Sequence, residues 1–163
     1  MNKNRFIVDP YKTAIALATS IGCIALGIAV ATIGRYVSMA VFFAIAALFL
    51  WVLYINGSTV TLLDDGVELA FLGHRRKFFK WEDIQEVGCA GTKIIRQKDK
   101  NDVGSCNIYF SETAMDDDER HQMLFKWPPK DKIYMLYIAE RLEAVQYAWS
   151  GRIIFYNSGK VHF

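Results

Sequence analysis

Residues Thr13 to Ile55 constrain this chain more than any other stretch. Thr13–Ile33 runs for 21 residues without a charge, Val37–Ile55 for another 19, and only Gly34-Arg35-Tyr36 separates them. About 20 apolar residues in a helix cross the roughly 30 Å hydrocarbon layer of a bilayer. Backbone groups find no water there and must bond within their own segment, which makes both runs helical. The expected class is therefore an α+β membrane protein. A short polar lead, residues 1–12, enters a two-helix transmembrane hairpin over residues 13–56, and 107 further residues follow, enough for one compact domain.

The sequence carries 19 basic and 17 acidic residues. Lys3, Arg5, Lys12 and Arg35 against Asp9 leave the first 56 residues basic, while the remainder holds 15 basic and 16 acidic residues. That balance excludes the basic stripe of a general nucleic-acid binder. Three cations precede the first span and one lies in the turn, so the positive-inside rule places both termini in the cytoplasm of a multi-pass cell-membrane protein. Ala29-Val30-Ala31 has the form of a signal-peptide cleavage site. The apolar run outlasts the roughly 7–15 residues of such a peptide, and a second span follows at once, so the hairpin is expected to be retained. Cys23, Cys89 and Cys106 are an odd count without metal-ligand spacing, read as small buried apolar residues in a reducing compartment.

Asp9-Pro10 reads as a helix start, with Asp9 as N-cap and Pro10 at the first helical position. Ala14, Ala18, Gly22, Ala25 and Ala29 recur at spacings of four and three. That face of small residues is expected to pack against the bulkier second helix, or else to form a seam between protomers. No ionisable group lies inside either span, which leaves an ion pathway without an anchor. Trp51 and Tyr54 suit the aromatic belt at the inner interface.

Beyond Asn56 the pattern turns to short strands at Ser58–Leu63, Val67–Leu72, Arg75–Trp81, Ile84–Cys89, Thr92–Gln97 and Cys106–Phe110. Asp64-Asp65-Gly66 and Gly73-His74 mark turns, and Lys98–Gly104 is a polar loop. The acids from Asp116 to Glu119 suit a short helix start. Ile133–Tyr137 reads as a strand. Ile138–Trp149 reads as a helix with Ile138, Leu142, Val145 and Trp149 on one face and Glu140, Arg141, Glu143 and Gln146 elsewhere. A strand-like tail, residues 151–163, closes the chain.

A strand-glycine-strand opening over Leu62–Leu72, the run Lys80-Trp81-Glu82-Asp83-Ile84-Gln85-Glu86-Val87, and the amphipathic Ile138–Trp149 together resemble bacterial pleckstrin-homology-like (PH-like) domains of small membrane proteins. The resemblance covers about residues 58–150. It implies a PH-like domain over residues 57–150, an antiparallel barrel or sandwich plugged by one C-terminal helix. Trp81 and Ile84 are then core residues, and Asp83 caps a turn. It also implies an oligomer-forming module. The tail after Trp149 lies outside the resemblance, and its strand-like Arg152–Tyr156 can add to a neighbour's sheet edge.

Chemistry is sparse. His74, His121 and His162 lack matched ligand partners, and four consecutive acids beside His121 cannot all face one ion, so neither metal nor cofactor is expected. No nucleophile elbow, zinc-protease helix, phosphate loop or C-x-x-C motif is present, and the expectation is not an enzyme. His74, Arg75, Arg76, Lys77 and Lys80 form the one candidate site, a basic turn that can meet anionic lipid headgroups. The expected function is a membrane-anchored PH-like binding or scaffold module contacting a protein partner or itself. The alternatives are an anionic-lipid sensor using the basic turn, and an accessory subunit of a larger membrane complex.

Overall fold

The computed structural model describes residues 4–91, 106–125 and 128–157. Thr92–Gln97, the polar loop Lys98–Gly104 and the chain beyond Asn157, with His162, lie outside them. The chain divides into a helical unit, residues 7–58, and an α+β unit made of residues up to 6 and from 59 onward.

The helical unit is two helices, α1 (Pro10–Thr32) and α2 (Tyr36–Asn56). Both are long and apolar enough to cross a membrane. Asp9 caps α1: its Oδ1 accepts the Lys12 N–H at 3.0 Å, and Pro10 opens the helix, where its missing N–H costs nothing. Gly34, at φ 74°, ends it. The Gly34 N–H bonds the Ala31 carbonyl and the Arg35 N–H the Val30 carbonyl, the paired bonds of a Schellman cap. At the open end, the Asp9 N–H reaches the Asn56 carbonyl at 3.0 Å and the Val8 N–H the Ser58 carbonyl at 2.8 Å, joining the outer ends of the two helices.

The small-residue face differs from the one read in the sequence. Ala14, Ala18, Gly22, Ala25 and Ala29 are all exposed, and the buried residues of α1 are Ala16, Ser20 and Gly27. A Cβ at Gly27 would lie 3.4 Å from the Phe43 ring, whereas one at Gly22 would meet nothing within 4 Å. Ala16, Ser20, Cys23, Gly27 and Ala31 repeat at fours and threes as well. Spacing alone therefore could not choose between two small stripes, and the bulk of Phe43 decides.

Among the described residues, the α+β unit holds two four-stranded sheets and no closed barrel. The first has the order β1 (Arg5–Ile7), β2 (Thr59–Leu62), β3 (Gly66–Phe71), β4 (His74–Lys80). In the second, β5 (Glu86–Gly91) and β6 (Cys106–Ser111) are central, with β7 (Ile133–Leu136) outside β6 and β8 (Ile153–Asn157) outside β5. Helix α3 (Asp117–Phe125) precedes β7, and α4 (Ala139–Ala148) lies between β7 and β8. Pairing is antiparallel from β2 to β4 and from β5 through β6 to β7, but β8 runs parallel to β5, with Cys89 opposite Phe155. Ile153–Asn157 of the tail is thus a strand of the unit's own second sheet.

Hairpin chemistry sets the first sheet. The Asp64-Asp65 turn brings Leu62 opposite Val67, and alternation buries Val60, Leu62, Val67 and Leu69. Val87, Ile108, Phe110, Ile133 and Met135 supply the buried residues of the second. Ile84 is buried, and Trp81 is half-buried, edge-on to Phe110 and 6.0 Å from Trp149, with its Nε1–H on the Leu63 carbonyl. Asp83 is exposed, and its turn is closed by its backbone N–H onto the Lys80 carbonyl at 3.1 Å.

Two features are not legible in residue order. Within the polar lead Arg5–Ile7 forms β1, with the Leu62 N–H on the Asn4 carbonyl. Three residues are too few for alternation to show. Arg141, off the apolar face of its helix, is nonetheless buried: it is 6% exposed, with Nη1 donating to the Leu136 carbonyl and the guanidinium over the Phe6 ring. Its stem packs while its donors stay satisfied.

Gly27→Leu forces the ring of Phe43 aside and should destabilise the helical hairpin by about 1–3 kcal/mol, the usual cost of overpacking. Gly22→Leu should leave it unchanged. Unfolding of the full chain in detergent, followed by circular dichroism, reads both.

Candidate functional site

The five basic residues singled out from the sequence do not converge. The turn itself is Leu72-Gly73, and His74–Lys80 forms the edge strand β4. Arg75 Nε donates to Glu68 Oε2 at 2.6 Å, with its guanidinium 5.0 Å over the Phe78 ring. Lys77 is half-buried, with Nζ donating to the carbonyls of Lys130 and, at 2.9 Å, Lys132. Burial lowers its pKa against the pull of Asp131. Lys80 turns to Glu82 at 3.1 Å, and that hydrogen bond raises its pKa. His74 and Arg76 are exposed. Strand alternation and the register slip at Arg76, where Leu69 pairs with Lys77 and Ala70 with Arg75, give these side chains separate surroundings, so a basic run in the sequence disperses in space.

The densest polar arrangement is one the sequence reading missed. Glu86, at the start of β5, is 3% exposed and faces Arg120 of α3. Arg120 Nε donates to Glu86 Oε1 at 2.9 Å and Nη2 to Oε2 at 2.8 Å, a bidentate pair. The Tyr109 hydroxyl donates to Oε1 at 2.5 Å, and the Met115 N–H to Oε2 at 2.9 Å. Arg120 also binds Asp117 through Nη1 at 2.8 Å and the Met115 carbonyl through Nη2. Burial works to raise the Glu86 pKa, but the hydrogen bonds from Arg120, Tyr109 and Met115 outweigh it and hold the carboxyl below its usual range. Burial and the bond to Glu86 push Tyr109 up, and Arg120 is raised chiefly by Glu86.

Local sequence explains the placement. Gly88 stands opposite Tyr109, and a Cβ there would lie 2.4 Å from the phenol oxygen, so glycine opens the path to Glu86. Asp116 Oδ1 accepts the Glu119 N–H at 2.8 Å while Glu119 Oε2 accepts the Asp116 N–H at 3.1 Å, a reciprocal cap that starts α3. The acid run is therefore helix-start chemistry. The legible signal was this D-x-x-E box followed at once by Arg120.

An open cleft of about 450 Å³ lies beside α3, lined in part by Thr113, Met115, Glu119, Met123, Pro129 and Lys132. Its buried cation is already engaged: Lys132 Nζ lies 2.8 Å from Asp131 Oδ2 and 3.3 Å from Thr113 Oγ1. Cys89 and Cys106 are buried free thiols, and their mutual hydrogen bond with burial pushes Cys89 up and keeps it neutral. His121 Nδ1 lies 3.3 Å from the Tyr156 hydroxyl. Among the described residues, no group of three or more His, Cys, Asp or Glu side chains could hold a metal ion. Sought among known families, curated proteins and solved structures, the chain matches none.

A carboxyl held below its usual range stabilises the fold above its unfolded pKa, 4.5, and that stability is lost as pH falls through the lower folded value. Glu86→Gln should remove this acid-sensitive part and, by leaving Arg120 with only the exposed Asp117 as a charge partner, cost about 3–5 kcal/mol near neutral pH. Thermal melts of both proteins in detergent from neutral pH to below 4.5 check it. The gap between them should narrow on acidification.

Proposed function

We propose that this chain is a membrane-anchored, non-enzymatic binding module. In this reading α1 and α2 cross a bilayer, both termini face the cytoplasm, and the α+β unit is a PH-like domain that contacts a protein partner or a second copy of the chain. The observation that carries the anchoring is the outward apolar surface of the helices. Only 17% and 6% of their most apolar windows are buried within the protein. Ile15, Leu17, Ile21, Leu26 and Ile28 of α1, with Val41, Leu48 and Leu50 of α2, are exposed. Water penalises that surface by about 25 cal/mol per Å², whereas hydrocarbon does not.

The strand order up to α4 and the amphipathic helix itself support the PH-like reading. The open pair of sheets and the parallel β8 depart from it. Self-association is supported by β8. Among the described residues it has a strand neighbour on one side alone, and Phe155 is 61% exposed on it. An edge strand with an exposed aromatic can pair with another sheet.

The full chain should remain in the membrane fraction after alkaline carbonate washing, and in mild detergent it should run at a multiple of its 18.6 kDa chain mass or copurify with a partner. Phe155→Lys should reduce that mass to one chain without changing the circular dichroism spectrum. Release by carbonate overturns the anchoring, and a monomer with no partner overturns the scaffold role.

A further inference from the structure

The short link between α4 and β8 covers a donor that has nothing to bond. The Trp149 Nε1 nitrogen is shielded from solvent and, among the described residues, has no hydrogen-bond partner. Such a donor gives up its water without replacement, which disfavours the arrangement that buries it. The link itself lies over it. A Cβ at Gly151 would sit 2.8 Å from Nε1 and 2.6 Å from Cε2 of the indole, so the chain bends tightly across the ring and only glycine fits. The ring has little room to give way, because it packs 6.0 Å from Trp81, which lies edge-on to Phe110. Ser150, Gly151 and Arg152, which join Trp149 to β8, are all exposed. The bend thus shuts over an unpaired donor without burying a residue of its own.

The strand beyond the bend is held differently from its neighbour. β5 is buried at each of its 6 residues, whereas none of the 5 residues of β8 is fully buried. One parallel ladder joins them, from Val87 opposite Ile153 to Gly91 opposite Asn157. Loss of β8 would therefore uncover the buried β5 while freeing a strand with little buried surface of its own. An identical strand from a second copy fills the place equally well. In such an exchange every hydrogen bond and side-chain contact between β5 and β8 is remade between copies, so the balance is left to the hinge and to concentration. Here the hinge favours exchange: straightening it lifts Gly151 off the indole and lets Nε1 reach water.

We propose that two copies of this chain exchange β8, each strand pairing in parallel with β5 of the other copy, with Trp149–Arg152 as the hinge. The exchange rests on the reading that the chain binds a second copy of itself, and it specifies the contact as a swapped strand.

Val87 and Ile153 are register partners on adjacent strands, which run about 4.8 Å apart, within disulfide reach. The test oxidises the full chain carrying Cys23→Ala, Val87→Cys and Ile153→Cys in mild detergent, then runs it on a denaturing gel without reductant. Exchange should give a covalent dimer, whereas an unexchanged β8 gives a monomer linked within itself. Gly151→Ala, whose methyl meets the indole in the shut bend, should raise the dimer-to-monomer ratio about tenfold. Trp149→Phe, which keeps a ring beside Trp81 and removes the unpaired donor, should lower it about tenfold. Damage to the fold alone would lower the Tm without moving the two ratios in opposite directions. A native mass of two chains with only internally linked monomer on the gel, as edge-to-edge pairing gives, overturns the exchange and leaves self-association standing. A ratio that either variant leaves unchanged does the same. A monomeric native mass overturns both.

Discussion

Two helices with apolar side chains on nearly every face need an apolar surrounding on nearly every side. Each satisfies its own backbone, yet packing them on one another covers only the narrow stripe around Ala16, Ser20, Gly27 and Ala46. The rest must be covered by lipid or by other protein. This requirement also shapes the neighbouring chain. The polar groups Asp9, Asn56 and Ser58 gather at the outer ends of the helices, where their hydrogen bonds close the hairpin and release the chain into β2.

The α+β unit solves a different problem. Among the described residues, eight short strands form two sheets, and α3 is tied to β5 of the second through an ion pair. Glu86 and Arg120 are both nearly buried, and each is supplied with further partners, so no charge is left alone. A buried pair of this kind contributes little net stability against an apolar substitute, but losing one partner is costly. Its value is geometric: two parallel hydrogen bonds admit one orientation of α3 against β5.

The β3–β4 turn shows the opposite economy. Gly66, at the start of β3, has the β4 backbone so close that no side chain fits, and the chain has glycine there. At Leu72, where glycine or asparagine would suit the backbone, it has leucine. The two positions are close in sequence; neighbouring backbone faces Gly66, whereas Leu72 holds a positive φ and faces solvent.

The helical pair, most strands from Thr59 to Ile133, the N-cap at Asp9 and the C-terminal helix were legible from residue order, because each depends on local periodicity, capping or turn chemistry. The shared face of the helices, the strand at Arg5–Ile7, the burial of Arg141 and the Glu86–Arg120–Tyr109 clasp were not. Each depends on which distant group comes alongside: Phe43 for Gly27, β2 for Arg5–Ile7, Phe6 for Arg141, and α3 for Glu86 across 34 positions. The sequence by itself determined a pair of membrane-length helices and a β-rich remainder, since apolar length and alternation are properties of neighbours along the chain. Only the tertiary structure decided that the basic run would be divided among separate partners and that β8 would lie parallel to β5, because hydrogen bonds and ion pairs are chosen by proximity in space.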